Sequence, residues 1–259
     1  MSMKASLLPQ MARLFAARAG LYCVSSLIAG VLGIVTLTVV AITSLGVING
    51  EYADPVALWR SMTVSHQLIF VFGLLFGVTV PVLMAARAVC RITSDQIAGH
   101  DSSLAQVVRD MVMFIPSAVI YSRVIGFPTM LGSVMLFLPG MVIASLFALV
   151  VPASVYGTGG IFAILRHGLS LCGKVFGKVL LLSLASFALL VIVLVLRINL
   201  LDRFLAGPPA MQFGLRLSLT YVPALLVLIL ANICFTLVYR EARGQETSAS
   251  SKTMGAVQI

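Results

Sequence analysis

The sequence predicts an all-α fold: a polytopic membrane helix bundle with six transmembrane helices and amphipathic helices at the membrane interface. Hydrophobic residues fill 60% of its 259 positions and charged residues only 10%, which gives a mean hydropathy of +1.11. Six apolar runs follow one another along the chain, and Lys and Arg outnumber Asp and Glu by 17 to 8. Soluble domains carry about 25% charged residues. The composition therefore argues against a soluble enzyme, a disordered regulator and a secreted disulfide scaffold.

The apolar runs set the number of crossings. A helix needs about 20 apolar residues to cross the hydrocarbon core, because each residue advances it by about 1.5 Å. Six runs approach or exceed this length: residues 23–48, 67–86, 111–127, 130–156, 179–196 and 217–238. The third run is only 17 residues long and has Pro116 and Pro128 near its ends. The third and fourth runs could therefore form a re-entrant pair instead of two full crossings.

The basic residues predict the orientation. Six crossings place both termini on one side, together with 12 of the 17 Lys and Arg residues. The positive-inside rule then makes both termini cytoplasmic. The Arg-bearing, acid-free residues 1–20 also resemble a mitochondrial presequence, but an interfacial helix of a bacterial inner (plasma) membrane protein is the simpler interpretation. We therefore predict a multi-pass protein of the bacterial inner membrane.

Three regions follow from this pattern: an N-terminal amphipathic cytoplasmic segment at 1–20, a six-helix transmembrane domain at 21–242, and a disordered polar tail at 243–259. Two cytoplasmic connections also have the spacing of amphipathic helices. One begins at Asp101, a suitable N-cap residue, and the other covers residues 160–174. Basic amphipathic segments of this kind suit the headgroup region of an anionic leaflet.

Residues 136–184 carry a recurring order of small residues, prolines and basic residues. Their order is Pro139-Gly140, Pro152-Ala153, Gly159-Gly160, Ala163, Arg166, Leu171, Lys174 and Lys178. This order, with the close TYVPALLVLILANICFTLVYREAR of the last run, resembles a bacterial six-helix integral membrane family related to the glycerophosphoryl diester phosphodiesterase membrane domain. The resemblance implies a six-helix fold without enzymatic activity, because the phosphodiesterase chemistry of fused members belongs to a separate soluble domain. The chain departs from the family at Gly157 and Gly168, where an acidic residue and a Ser are common.

The polar residues show no pattern that is typical of catalysis or metal binding. The three histidines stand apart from one another, and the eight acidic residues fall in predicted loops or at helix ends. Metal-assisted hydrolysis needs clustered ligands, so no catalytic residue, metal site or cofactor is predicted. Four cysteines, Cys23, Cys90, Cys172 and Cys234, lie toward the cytoplasmic leaflet in this topology. A soft metal site there is the alternative, but without paired spacing they are better explained as small buried residues.

Two groups of charged residues are candidate functional sites. Arg123 lies inside the third run, where it either faces the bundle interior as a functional intramembrane charge or snorkels to the outer interface. Arg87 ends the second run and is predicted to be a snorkelling interface residue. Arg166, Lys174 and Lys178 are predicted to contact lipid headgroups from the cytoplasmic side.

These observations predict a non-enzymatic integral inner-membrane protein in envelope or lipid homeostasis, or a membrane partner of another component. The alternative is a transporter or channel subunit, which the prolines within the runs and Arg123 would favour. The predicted partners are anionic membrane lipids and either a membrane-protein partner or a second copy of the chain. Nucleic acid is not an expected partner, because the basic excess is explained by membrane orientation.

Overall fold

A computed structural model describes residues 7–45, 63–129, 137–157, 159–204 and 209–256. All regular elements in this part of the chain are helical, which confirms the predicted all-α fold. The α-helices are α1 (Leu7–Leu45), α2 (Val64–Ala98), α3 (Leu104–Tyr121), α4 (Phe137–Phe147), α5 (Val150–Tyr156), α6 (Ile161–Phe204) and α7 (Pro209–Ala256). A π-helix at Ser122–Gly126 continues α3.

Six helical segments are long and apolar enough to cross a membrane. They are Leu7–Thr36, Phe76–Ala98, Leu104–Thr129, Pro139–Tyr156, Ile161–Val193 and Val222–Gln245. The third segment is longer than the run predicted at 111–127, because the amphipathic residues before Met111 belong to the same helix. Its 26 residues exceed the length that a crossing requires. The fourth segment contains α4 and α5, which are separated by a turn at residues 148–149.

Two long helices include the segments predicted to be separate and amphipathic. The backbone of α1 leaves helical geometry at Arg18 (φ −140°, ψ 29°), and that of α6 does so at Val175 (φ −120°, ψ 21°). These breaks lie close to the sequence boundaries at residues 20 and 174. The last helix, α7, continues to Ala256. It therefore includes most of the polar segment 243–259 for which the sequence predicts disorder.

A short turn joins α2 to α3 and defines what we call the turn end of the bundle. Gly99 has a φ of +75°, a left-handed conformation that glycine adopts without steric cost. Ser103, and not the predicted Asp101, caps α3. Its Oγ accepts from the Gln106 backbone N–H (3.3 Å), while Gln106 Oε1 accepts from the Ser103 backbone N–H (3.0 Å). Asp101 instead forms an ion pair with Arg18 of α1.

The buried core lies mainly toward the turn end. Its largest cluster joins α1, α2, α3 and α7 through side chains such as Tyr22, Val89, Ile92, Met111 and Ile233. The Tyr22 hydroxyl lies 2.9 Å from both Thr93 Oγ1 and Gln96 Oε1, which fixes α1 to α2 within this apolar contact. Farther from the turn end, α6 exposes large apolar residues, including Leu181 at 70% and Ile192 at 53%. Such residues are suited to contact with lipid chains.

A second cluster packs α6 against α5 and α7 through Leu149, Leu171, Val175 and Tyr239. Gly168 allows this close approach, because a Cβ built on it would lie 2.9 Å from Val150 Cα. A Cβ on Gly157 would likewise lie 2.9 Å from the Ala153 carbonyl oxygen and 3.0 Å from Ile164 Cγ1. Both positions at which the chain departs from the resembled family are therefore too crowded for a side chain.

Candidate functional site

Arg87 is the centre of a partly buried polar cluster that links three helices. Its Nε and Nη2 donate to the two carboxylate oxygens of Asp110 on α3, at 2.9 and 3.0 Å. Its Nη1 donates to the backbone oxygen and to Oγ of Ser154 on α5, both at 2.7 Å. The side chains of Arg87 and Asp110 are only 14% and 26% exposed. This bidentate geometry uses the planar fork of the guanidinium.

The prediction that Arg87 lies at a helix end is wrong. Helix α2 continues to Ala98, and the Arg87 side chain is 14% exposed and contacts α3 and α5. Asp110 likewise lies inside a helix, α3, although the sequence places all acids in loops or at helix ends. The Phe114 ring covers Arg87, with the guanidinium carbon 4.7 Å from the ring centroid. An ionised pair in this position is costly unless it is fully paired, which makes the cluster a candidate functional site.

A small cavity of about 170 Å³ adjoins this ion pair. Its polar lining comes from Arg87, Asp110, Ser117, Tyr121 and Ser154, and Met113, Phe114 and Ile164 complete it. Tyr121 is 1% exposed, and its hydroxyl has no hydrogen-bond partner among the described residues. Ser154 Oγ already donates to the Val151 carbonyl oxygen at 2.6 Å. The cavity therefore offers both donors and acceptors at the depth of the ion pair.

A larger polar cavity of about 540 Å³ lies beside the turn and shares Asp110 and Met113 with the small one. Its other lining residues include Arg91, Asp95 and Arg109. Arg91 Nε donates to Asp95 Oδ2 at 3.0 Å, and Ser102 Oγ donates to the same oxygen at 2.8 Å. The polar space at the turn end thus extends inward from an open surface to the partly buried Arg87–Asp110 pair.

Two further cavities, of about 540 and 550 Å³, lie farther along α2 and are lined mainly by apolar residues. The first lies among α1, α2, α6 and α7, and the second lies among α2, the π-helix, α4, α5, α6 and α7. They share Val78, Val82, Ser186 and Leu228, so they are neighbours on either side of α2. Their lining favours hydrocarbon chains over water. We call them the apolar cavities.

Small residues line the approach of α1 to α2 beside the first apolar cavity. A Cβ on Gly33 would lie 3.3 Å from Pro81 Cβ and 3.4 Å from the Gly77 carbonyl oxygen. Gly77 belongs to the GxxxG motif Gly73–Gly77, which predicts close contact between helices. The same small residues that bring the two backbones together also leave space for the cavity.

The three residues predicted to contact lipid headgroups lie along the exposed face of α6. Arg166 and Lys174 are exposed, and Lys178 forms an ion pair with Glu241 of α7 at 2.5 Å. The apolar face of this segment packs on the protein: Gly168 meets α5, and Leu171 and Cys172 are fully buried. The apolar side of the segment is therefore held by protein contacts, and Arg166 and Lys174 are exposed on the other side.

Arg123 lies on the π-helix at an exposed position, with its guanidinium carbon 5.6 Å from the Phe76 ring centroid. This arrangement favours an outward-facing residue and not a site inside the bundle. The cysteines have separate surroundings: Cys172 Sγ donates to the Ser145 carbonyl oxygen at 3.2 Å, and Cys234 Sγ lies 3.3 Å from Met11 Sδ. Within the described ranges, no three His, Cys, Asp or Glu side chains group as metal ligands.

No family model, curated protein or solved structure matches the chain significantly. The resemblance to the six-helix family therefore remains a prediction, and the function has to be inferred from the geometry. That geometry combines three features: a partly buried ion pair beside polar cavities at the turn end, two apolar cavities farther along α2, and basic residues on α6.

Proposed function

We propose that this chain is a non-enzymatic lipid-binding protein of the bacterial inner membrane, with a role in envelope or lipid homeostasis. The observation that carries the proposal is the pair of apolar cavities on either side of α2. Each is about 540–550 Å³ in volume, within the range of about 300–1,000 Å³ that is usual for small-molecule sites. The proposed ligands are membrane lipids whose acyl chains enter these cavities.

The physical reason is the composition of the cavity walls. Water gains too few hydrogen bonds in an apolar cavity to fill it, and an empty cavity loses the dispersion contacts of its lining atoms. Acyl chains from the surrounding bilayer supply those contacts without exposing any polar group. Val78, Val82 and Leu228 form walls common to both cavities, so a lipid with two chains could place one on each side.

The basic residues of α6 supply the complementary contact for a headgroup. Ser186 lines both cavities and lies eight residues beyond Lys178 on the same helix. That separation corresponds to about 12 Å along the helix axis, which a lipid chain spans easily. Arg166 and Lys174 are exposed closer to the turn end. An anionic headgroup near these residues is therefore compatible with a chain in either apolar cavity.

The proposal can be tested by filling the cavities. Ser186→Trp places a bulky side chain where both apolar cavities meet, and we expect purified protein to retain fewer lipid molecules in native mass spectrometry. Leu181→Trp is the matched control, because Leu181 is 70% exposed on the same helix and lines neither cavity. Equal lipid retention by both folded variants and the wild type would refute binding in the cavities.

A transporter or channel subunit is the alternative function. Such a protein requires a polar route across the membrane, and the buried Arg87–Asp110 pair favours this alternative. However, the polar cavities of the described residues lie at the turn end, whereas the cavities farther along α2 are apolar. This distribution supports lipid binding over conduction. We also propose anionic lipids and either another membrane protein or a second copy as partners.

A further inference from the structure

We propose that the cavity of about 170 Å³ beside Arg87 is a binding site for a small, neutral, hydroxyl-rich group. The group is either a free polyol or the polyol headgroup of a lipid. This inference is independent of the proposed function, because the apolar cavities and this polar cavity have no lining residue in common.

The hydroxyl of Tyr121 is the first reason to expect a polar occupant. Tyr121 is 1% exposed and lines the cavity, and no hydrogen bond of its hydroxyl is found within the described chain. An occupant that pairs with this hydroxyl gains a hydrogen bond, which contributes about 0.5–1.5 kcal/mol. Four of the five Arg87 N–H groups are accounted for by Asp110 and Ser154. The second N–H of Nη2 and the Ser117 hydroxyl add further polar groups around the cavity.

The charge of the site selects a neutral occupant. The Arg87 guanidinium is already balanced by the Asp110 carboxylate at 2.9 Å. The lining of the cavity contains no other charged residue, so neither an anion nor a cation would find an unbalanced charge of opposite sign. Hydroxyl groups both donate and accept hydrogen bonds. They therefore match a lining that offers donors from Tyr121 and Ser117 and acceptors from Asp110.

Size and access limit the occupant further. A cavity of about 170 Å³ is smaller than the range of about 300–1,000 Å³ that is usual for drug-sized ligands, so the occupant is a small molecule or part of a headgroup. A three-carbon triol satisfies this limit. The larger polar cavity at the turn shares Asp110 and Met113 with the site, and it provides the route of entry.

Saturation-transfer difference NMR tests this inference on the full chain in phosphatidylcholine nanodiscs. The probes are glycerol, acetate and methylammonium, which are small and differ in charge. We expect transfer to glycerol and little to either ion. Tyr121→Phe should weaken the apparent affinity for glycerol about three- to tenfold, the loss expected for one neutral hydrogen bond. Tyr156→Phe is the matched control, because it removes a tyrosine hydroxyl that lies outside the cavity.

Each result has a defined meaning. Equal transfer to acetate would overturn the preference for a neutral group, and absence of transfer to glycerol would mean that the cavity holds water only. If Tyr121→Phe and Tyr156→Phe behave alike, glycerol binds elsewhere and the assignment is wrong.

Nanodiscs of phosphatidylglycerol and phosphatidylserine, which have the same net charge, distinguish a lipid headgroup from a free polyol as the source of the bound group. Loss of free-glycerol binding only in phosphatidylglycerol supports a lipid headgroup, and unchanged binding in both supports a free polyol.

Discussion

Arg87 on α2 and Asp110 on α3 form a bidentate ion pair, with Nε–Oδ2 and Nη2–Oδ1 distances of 2.9 and 3.0 Å. The residues are 23 positions apart in sequence, and Ser154 joins them from a third helix at 2.7 Å. The pair therefore fixes the relative positions of α2, α3 and α5.

The first prediction concerns this pair. Arg87→Ala leaves the Asp110 carboxylate without its partner, and breaking a buried pair costs about 3–5 kcal/mol. Because Asp110 is 26% exposed, we expect destabilisation near the lower limit, about 3 kcal/mol, in reversible unfolding measured in mixed micelles. Arg91→Ala removes an exposed pair with Asp95 and should cost about 0.3–0.5 kcal/mol. Similar losses in the two variants would contradict the assigned role of Arg87.

The second prediction concerns the contact of α6 with α5. A Cβ on Gly168 would lie 2.9 Å from Val150 Cα and 3.2 Å from its backbone nitrogen, and backbone atoms cannot move aside cheaply. Gly168→Ala should therefore destabilise the protein by about 1–3 kcal/mol. Gly173→Ala is the control on the same helix, because a Cβ there meets nothing within 4 Å. It should be neutral or stabilise by up to about 1 kcal/mol; a reversed order would show that the α5–α6 contact is looser than described.

The third prediction concerns lipid headgroups. Each basic residue near an anionic leaflet contributes about 1 kcal/mol, so changing both Arg166 and Lys174 to Glu should reduce retention of anionic lipid at least about tenfold. Lys178→Glu should reduce the retention of anionic lipid by a smaller factor, because Lys178 already pairs with Glu241. Native mass spectrometry with anionic and zwitterionic lipids measures the difference. Unchanged retention of anionic lipid, with topology preserved, would mean that these charges serve only to orient the chain.

A fourth prediction concerns the cysteines. Cys90, Cys172 and Cys234 are buried and have separate packing environments, so replacing all four cysteines with Ala should leave expression and fold largely intact. Elemental analysis of the wild type should find no stoichiometric metal. Copurification of zinc, copper or an iron–sulfur chromophore that disappears on substitution would show that the cysteines bind a metal after all.

The fifth prediction is the topology. With cytoplasmic termini, thiol labelling of single-cysteine variants should place residues 50–65 and 198–215 outside. The Gly99 turn and the His167 region should be protected from an impermeant reagent. Labelling of Gly99→Cys from outside would reject this orientation. If the connection at 127–130 alone could not be reached from outside, a re-entrant pair would replace the third and fourth crossings.

The crossings could be predicted from sequence because hydropathy is a local property of about 20 residues. The Arg87–Asp110 pair could not, because it depends on how two helices face each other. One feature of the sequence nevertheless indicated this pair. Apolar residues at helical spacing continue across Met111, the residue at which the predicted amphipathic segment ends and the third run begins. They are Val107, Met111, Phe114, Ala118 and Tyr121, and all five are buried. This spacing indicates one helix with Asp110 inside it, and an acid within a crossing calls for a partner.

The α2–α3 turn has a consequence for how the chain enters the membrane. Only residues 99–103 separate the two helices, so they form a helical hairpin from local contacts, which assemble quickly. We therefore expect Arg87 to meet Asp110 before the later helices are available, so that the two charges neutralise each other as the hairpin enters the bilayer. A side chain at Gly99, where φ is +75°, would oppose closure by about 1–2 kcal/mol. A substitution at Gly99 should therefore lower the yield of inserted protein during biogenesis more than it lowers the stability of the assembled bundle.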